Sequence, residues 1–234
     1  MKKVLITGGS GGIGSEIVKL FAKDGYAVYF TYNNSYEEAI SLQKETNATP
    51  IKCNLSSSED ISSMKNAIGS VDVLVNNAGI SQFALFTDIS EADWDNMIDV
   101  NLKSAFLVTK LFLPDMISKK WGRIINVSSM WGISGASCEV HYSASKAGLI
   151  GLTKALAKEV APSNVTVNCV APGIIDTKMN ARLSQEDKKV FEDSVPLMRS
   201  GKPEEVASAI LFLASEQSSY ITGVVLPVDG GYTI

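Results

Sequence analysis

The chain is poor in the residues that carry metal and redox chemistry. Among its 234 residues there is one histidine, His141, and there are three cysteines, Cys53, Cys138 and Cys169. The cysteines are far apart, odd in number and without the spacing of a zinc or dithiol site, so neither a metal centre nor a disulfide framework is expected. The lone histidine has no ligand companions and reads as packing or as part of a cleft wall. No apolar run approaches the ~18 residues of a membrane span. The run Val4, Leu5, Ile6 is too short for a signal sequence. Positive charge is not in excess: 21 Lys and Arg against 25 Asp and Glu leave a net charge of −4. That balance does not suggest a nucleic-acid binder. No Pro/Gly/Ser linker, charge block or internal repeat divides the chain. The expectation is one cytoplasmic domain over residues 1–234 with reduced thiols.

What the chain has is a large apolar fraction, 45%, with only 20% charged residues. That supplies a substantial core and excludes a disordered chain. Short β-rich runs alternate with helical periodicity. Strands are predicted over 3–7, 27–32, 49–53, 71–75, 122–127, 165–170 and 224–228. Helices are predicted over 13–23, 36–46, 58–68, 91–119, 143–160 and 203–214. Apolar strands separated by amphipathic helices predict an α/β fold: a doubly wound, parallel, seven-stranded sheet of Rossmann type in three layers. Residues 174–202 are polar and weakly patterned, with Arg182, Glu186, Asp187, Lys188 and Lys189. They suit a lid over a site, with Met179, Leu183, Val190, Phe191 and Met198 as its apolar residues.

The first strand ends in Thr7-Gly8-Gly9-Ser10-Gly11-Gly12-Ile13-Gly14, and a helix follows at once. Glycines let the backbone approach a pyrophosphate, and a helix amino terminus offers free N–H groups and a positive dipole end. The spacing is not the usual G-x-G-x-x-G, but the place in the chain points to a dinucleotide. After the second strand come Tyr32, Asn33, Asn34 and Ser35, with no acid to bind a ribose 2′-hydroxyl and no cation to bind a 2′-phosphate. NADP(H) is favoured, with NAD(H) not excluded.

Ser129 precedes Tyr142-Ser143-Ala144-Ser145-Lys146. Tyrosine and lysine four apart on a helix share a face. A free phenol, with a pKa near ~10, is a poor acid–base group at neutral pH. A neighbouring ammonium is expected to lower that pKa. Tyr142 then donates a proton to a carbonyl oxygen as hydride reaches carbon, and Ser129 orients that oxygen.

This ordered set resembles the classical short-chain dehydrogenase/reductase family over essentially the whole chain. The carriers are Thr7-Gly8-x-x-x-Gly12-x-Gly14, Asn76-Asn77-Ala78-Gly79, Asn101, Ser129, Tyr142-x-x-x-Lys146, Pro172-Gly173 and Thr177. The resemblance implies that Asn101 holds a long helix open around a relay water and that Lys146 binds nicotinamide ribose. It implies that Asn77, Ala78 and Gly79 lie beside the cofactor, that Ile175 and Thr177 hold the carboxamide, and that Asn54, with Leu55, borders adenine. It also implies a homotetramer or homodimer, assembled through the helices at 91–119 and 143–160.

Within the family the chain is most similar to the 3-oxoacyl-[acyl-carrier-protein] reductases, which implies a carrier-bound ketone and a role in fatty acid biosynthesis. Lys119, Lys120 and Arg123 are candidates for a carrier-docking patch near the cleft mouth. The second basic residue expected before the sixth strand is missing, since that stretch reads Pro162-Ser163-Asn164. Glu139, near the substrate, stands where such relatives more often have glutamine. An acid there favours a cationic substrate, and a related branch reduces an aminopentanone group on elongation factor P. The same fold also serves sugar and sterol dehydrogenases and non-enzymatic dinucleotide sensors. The intact Asn101, Ser129, Tyr142 and Lys146 argue against the sensor.

Overall fold

A computed structural model of the chain describes residues 1–177 and 184–234. The strands are β1 (Lys3–Ile6), β2 (Ala27–Tyr32), β3 (Thr49–Lys52), β4 (Val73–Asn76), β5 (Gly122–Val127), β6 (Val165–Pro172) and β7 (Val225–Val228). They form one parallel sheet in the order β3-β2-β1-β4-β5-β6-β7. The helices are α1 (Gly12–Lys23), α2 (Tyr36–Thr46), α3 (Ser58–Ile68), α4 (Glu91–Ile98) and α5 (Ser104–Lys119). They continue with the short α6 (Trp131–Ser134), α7 (Val140–Val160), α8 (Gln185–Ser194) and α9 (Pro203–Ala214).

Both faces of the sheet are covered, which is why its strands read as apolar runs. Val4, Leu5 and Ile6 are fully buried, and burying such side chains contributes roughly 1.5–3 kcal/mol each. Side chains alternate between faces. Val4 and Ile6 pack with Ile17 and Phe21 of α1 and with Val206 and Ile210 of α9. Leu5 joins Met64 of α3, Phe112 and Met116 of α5, and Val160 of α7 on the opposite face. Strand order reverses between β1 and β4, and a crevice opens there beyond their carboxyl ends.

The predicted long helix over 91–119 is interrupted. Between α4 and α5 the backbone widens into a π-helical turn, Asp99–Lys103, with Asn101 buried inside it. Wide turns of this kind often mark functional sites. The helix predicted from 143 starts a turn earlier, at Val140, and β6 runs on to Pro172 to pair with Val228. Within 174–202, α8 is capped by Ser184, whose hydroxyl accepts from the Asp187 N–H at 3.0 Å. Ile175 bridges to Gly201. Met179, Arg182 and Leu183 lie outside the described residues.

One expectation is corrected. Lys119, Lys120 and Arg123 do not flank the cleft mouth. Lys119 binds Asp72 at 3.0 Å and Ser70 at 3.2 Å, and Arg123 is buried with its guanidinium 4.5 Å from the Trp121 ring centroid. This cluster stands where the chain enters β4 and β5, at the opposite end of the sheet from Ser129. Of the two readings of His141, packing holds: it is fully buried, and its Nε2 lies 3.3 Å from Gln82 Oε1. The three cysteines are free thiols. Among the described residues no helix is long and apolar enough to cross a membrane, and no group of side chains could hold a metal ion.

Candidate active site

The crevice is a cavity of about 810 Å³ that runs from Asn54 and Leu55, past the glycine loop, to Tyr142 and Glu139. The loop after β1 is shaped by close backbone approach. Gly8 has φ +65°, and a Cβ at Gly14 would stand 2.2 Å from the Gly8 carbonyl oxygen. No side chain caps the start of α1, which leaves its first N–H groups for a ligand. Thr31 of β2 steadies the loop: its hydroxyl accepts from Gly8 N–H at 3.0 Å, and its carbonyl accepts from Gly9 N–H at 2.9 Å.

A cross-tie joins this loop to the one after β4. The Thr7 hydroxyl accepts from the N–H groups of Asn77 and Ala78, both at 3.0 Å. Asn77 Nδ2 donates to the carbonyls of Thr7 and Gly8 at 2.9 and 3.1 Å.

The catalytic end is assembled by α7, β5 and the π-turn. Lys146 is buried and donates from Nζ to the Val127 carbonyl at 2.9 Å. Its Nζ lies 5.7 Å from the Tyr142 ring centroid. Ser128 Oγ donates to the Lys146 carbonyl at 2.8 Å, pinning α7 to the end of β5. Asn101 Oδ1 accepts from Ile80 N–H at 2.8 Å, while its Nδ2 donates to the Ile80 carbonyl and to Ser145 Oγ at 2.9 and 3.1 Å. Ser145 Oγ donates to the Tyr142 carbonyl at 2.7 Å. Asn101 therefore reaches the helical turn that carries the tyrosine.

Desolvation dominates the electrostatics here. It pushes the Tyr142 phenol up to about 12, although a hydrogen bond with Ser129 pulls the other way and nearby Glu139 adds to the rise. Desolvation pulls the Lys146 ammonium down to about 8. The expected lowering of the tyrosine pKa does not occur: burial disfavours both charged forms, and the phenol rises while the ammonium falls. In the chain on its own Tyr142 is a firmly protonated phenol, the form a proton donor needs.

Of the candidates read from the sequence, all but Asn34 and Asn101 line this cavity. Asn34 instead turns the chain into α2, its carbonyl accepting from Tyr36 N–H at 3.0 Å. Asn101 acts from behind the wall. Sequence reasoning gave no role to Thr31, Ser128, Ser145 and Trp131. Ser145 lies inside the Tyr-Lys motif and Ser128 beside Ser129, but Thr31 and Trp131 carry no local signal. It also missed Glu38 and Glu45 of α2, which bring two acids to the wall near Asn33 and Ser35, together with Lys19 of α1.

These residues fit a nicotinamide dinucleotide. An uncapped helix start lined with glycine suits a pyrophosphate, and a buried ammonium and a phenol lie farther along the same cavity. Comparisons with known proteins agree. A family model described as enoyl-(acyl carrier protein) reductase matches residues 8–233. The 3-oxoacyl-[acyl-carrier-protein] reductase FabG of Aquifex aeolicus is 46% identical over 98% of this chain and 96% of its own length. The protein of that name from Thermotoga maritima is 46% identical over 100% and 98%. A crystal structure of 3-oxoacyl-[acyl-carrier protein] reductase from Brucella melitensis superposes with a TM-score of 0.95 at 33% identity, covering 100% of this chain and 91% of that one. With its glycine loop, its Ser129, Tyr142 and Lys146, and these relatives, the chain belongs to the short-chain dehydrogenase/reductase family of NAD(P)-dependent oxidoreductases.

Proposed function

We propose that this protein reduces the ketone of a 3-oxoacyl thioester to a 3-hydroxyacyl thioester, using NADPH. The observation that carries this reading is that Ser129, Tyr142 and Lys146 share one cavity with the glycine loop. When bound, the reduced nicotinamide supplies hydride; the chain must seat the carbonyl and supply a proton. Ser129 donates a hydrogen bond to the carbonyl oxygen and holds it against Tyr142. Tyr142 passes its phenolic proton to that oxygen. The Lys146 ammonium stabilises the tyrosinate left behind and binds ribose hydroxyls. Asn101, in its widened turn, holds the relay water that returns a proton through Lys146.

Gly8 to Gly14 and the start of α1 take the pyrophosphate. Asn54 and Leu55 border the adenine, and Asn77, Ala78 and Gly79 line the middle. Pro172, Gly173, Ile175 and Thr177 hold the nicotinamide end beneath a lid over residues 174–202. The preference for NADPH over NADH rests on Tyr32, Asn33 and Ser35, which bring no carboxylate; Lys19 at the same end is paired with Glu16 at 3.0 Å and Glu45 at 3.4 Å. Glu38 and Glu45 make this preference the sharper test. The substrate is carrier-bound, as the names of the relatives indicate, and the protein is a cytoplasmic homotetramer or homodimer of one domain. The exposed Trp94, Phe106 and Ile117 along α4 and α5 support an interface there.

The test follows NADPH and NADH absorbance with an acetoacetyl thioester, both free and carrier-bound. Oxidation that prefers NADPH and is lost in Tyr142→Phe supports the reading. Tight NADPH binding without oxidation of either thioester overturns it.

A further inference from the structure

Three aromatic rings from distant parts of the chain meet at the substrate end of the cavity. Trp131 of α6 lines the cavity two residues after Ser129, and its N–H donates to Ser129 Oγ at 3.1 Å. That bond keeps Trp131 beside the place where Ser129 and Tyr142 hold the ketone oxygen. Phe191 of α8 and Tyr232 meet the indole edge-on, at 5.8 and 5.4 Å between centroids. The same two rings stack on each other at 6.4 Å. Among the described residues that line the cavity, neither Phe191 nor Tyr232 is present. The indole forms the surface, and the other two rings stand behind it.

The wall is braced from behind. The Asp229 carboxylate accepts from the N–H groups of Gly231 and Thr233, both at 3.0 Å, which fixes the turn that carries Tyr232. The Gly230 carbonyl accepts from Leu197 N–H at 3.2 Å, so this turn is also tied to the segment after α8. A Cβ at Gly173 would stand 2.7 Å from Asp229 Cα, so the turn packs closely on the loop after β6. Swinging the indole aside would open its contacts with α8 and with this turn together. A ketone carbon held at Ser129 carries two substituents. The thioester side leads to a carrier and must leave the cavity, so a closed wall cannot face it. What meets the indole is the acyl chain, and added methylenes there have no room without displacing packed rings.

We propose that Trp131 is a specificity-determining residue, the end wall of the acyl pocket, and that it restricts this protein to 3-oxoacyl groups with a short chain. The indole rejects longer chains by direct contact. Phe191 and Tyr232 act through it, by holding it in place. This proposal rests on the thioester-reduction reading for its chemistry and narrows which thioester is favoured.

The test uses the N-acetylcysteamine thioesters of 3-oxobutanoic and 3-oxooctanoic acids. NADPH oxidation gives kcat/KM for each. Calorimetry measures their binding to the NADP⁺-loaded protein, which has no hydride to give them. The short thioester is expected to exceed the long one by about 30-fold in kcat/KM and in affinity. Trp131→Ala brings that ratio near one, and Trp131→Phe falls between. Phe191→Ala, which leaves the cavity surface in place, moves the ratio the same way by less. Melting curves check that the variants fold. Equal use of both thioesters by the unaltered protein overturns the wall even if both are reduced well. So does a Trp131→Ala variant that loses the two activities in equal measure and keeps the ratio. A calorimetric preference for the short thioester that Trp131→Ala abolishes, without reduction of either, keeps the wall and defeats the reduction reading instead.

Discussion

The two ends of the sheet handle charge in opposite ways. Where the strands begin, charged groups are paired. Asp72 accepts from Lys3 N–H at 2.8 Å and from Lys119 Nζ at 3.0 Å, and these bonds hold its carboxyl below the usual range despite partial burial. Glu216 gathers Lys2, Trp121 and Arg123, and its carboxyl is lowered, chiefly by the bond from Lys2. Where the strands end, Lys146, Tyr142 and Glu139 are desolvated with few partners, and each is pushed toward its neutral form. One end uses charge to tie elements together. The other holds groups whose protonation can change during a reaction, as functional sites do.

The largest expected effect breaks the chemical end alone. Tyr142→Phe should lower kcat by about 10³-fold, within the range for loss of a general acid, while the melting temperature holds or rises. Steady-state rates beside a melting curve check this. A similar kcat loss together with a large fall in melting temperature would mean that the tyrosine is structural.

Next comes Lys146 and pH. Its folded pKa of about 8 lies below the ordinary 10.5, so kcat/KM for reduction should fall as pH rises through about 8 and the ammonium is lost. The stability linkage runs the other way. Between about 8 and 10.5 the unfolded chain holds a proton that the folded chain has released, so stability rises with pH across that window. Below it, the buried ammonium costs roughly 3 kcal/mol. Lys146→Met should abolish activity and raise stability at neutral pH. Its unfolding free energy should lose that rise, which chemical denaturation at pH 7 and pH 10 would measure.

A smaller change separates shape from charge at the same end. Gly14→Ala places a methyl group against the Gly8 carbonyl and should cost about 1–3 kcal/mol of stability. It should also weaken NADPH binding, read by fluorescence titration.

The smallest effect belongs to the paired end. Asp72→Asn should cost about 1 kcal/mol near neutral pH with kcat unchanged. The wild-type advantage is present above the ordinary carboxylate pKa and disappears as pH falls through the lowered one. Melting curves of both proteins in acid would show them converging.

Much of this was legible in the sequence. Runs such as Val4-Leu5-Ile6 and Val73-Leu74-Val75 announce strands buried on both faces, and the place of Thr7 to Gly14 between a strand and a helix points to a dinucleotide. Helical spacing puts Tyr142 and Lys146 on one face, but they stand out only together with the glycine loop, Ser129 and the parallel-sheet pattern. What stayed hidden depends on three dimensions. Arg123 looks like a surface cation in sequence, yet it is covered because Trp121 and Glu216 close over it. Asn101 is marked only through the resemblance, and the π-helical turn that buries it shows only in the fold. The direction of the tyrosine shift was misread because spacing reveals the neighbouring ammonium but not the loss of water around both groups. Trp131 carried no signal at all, since its partners, Phe191 and Tyr232, are 60 and 101 residues away.

The cross-tie between Thr7 and Asn77 has a thermodynamic consequence. Four hydrogen bonds, three at 2.9–3.0 Å and one at 3.1 Å, fasten the loop after β1 to the loop after β4. The two loops border different parts of one elongated ligand, so they cannot adjust to its two halves independently. Order gained at one is already present at the other, and a ligand fragment bound at either end lowers the entropic cost of binding at the far end. Thr7→Val, which removes the shared hydroxyl acceptor, cuts two of the four bonds and leaves the loops joined through Asn77 Nδ2 alone, which loosens the coupling.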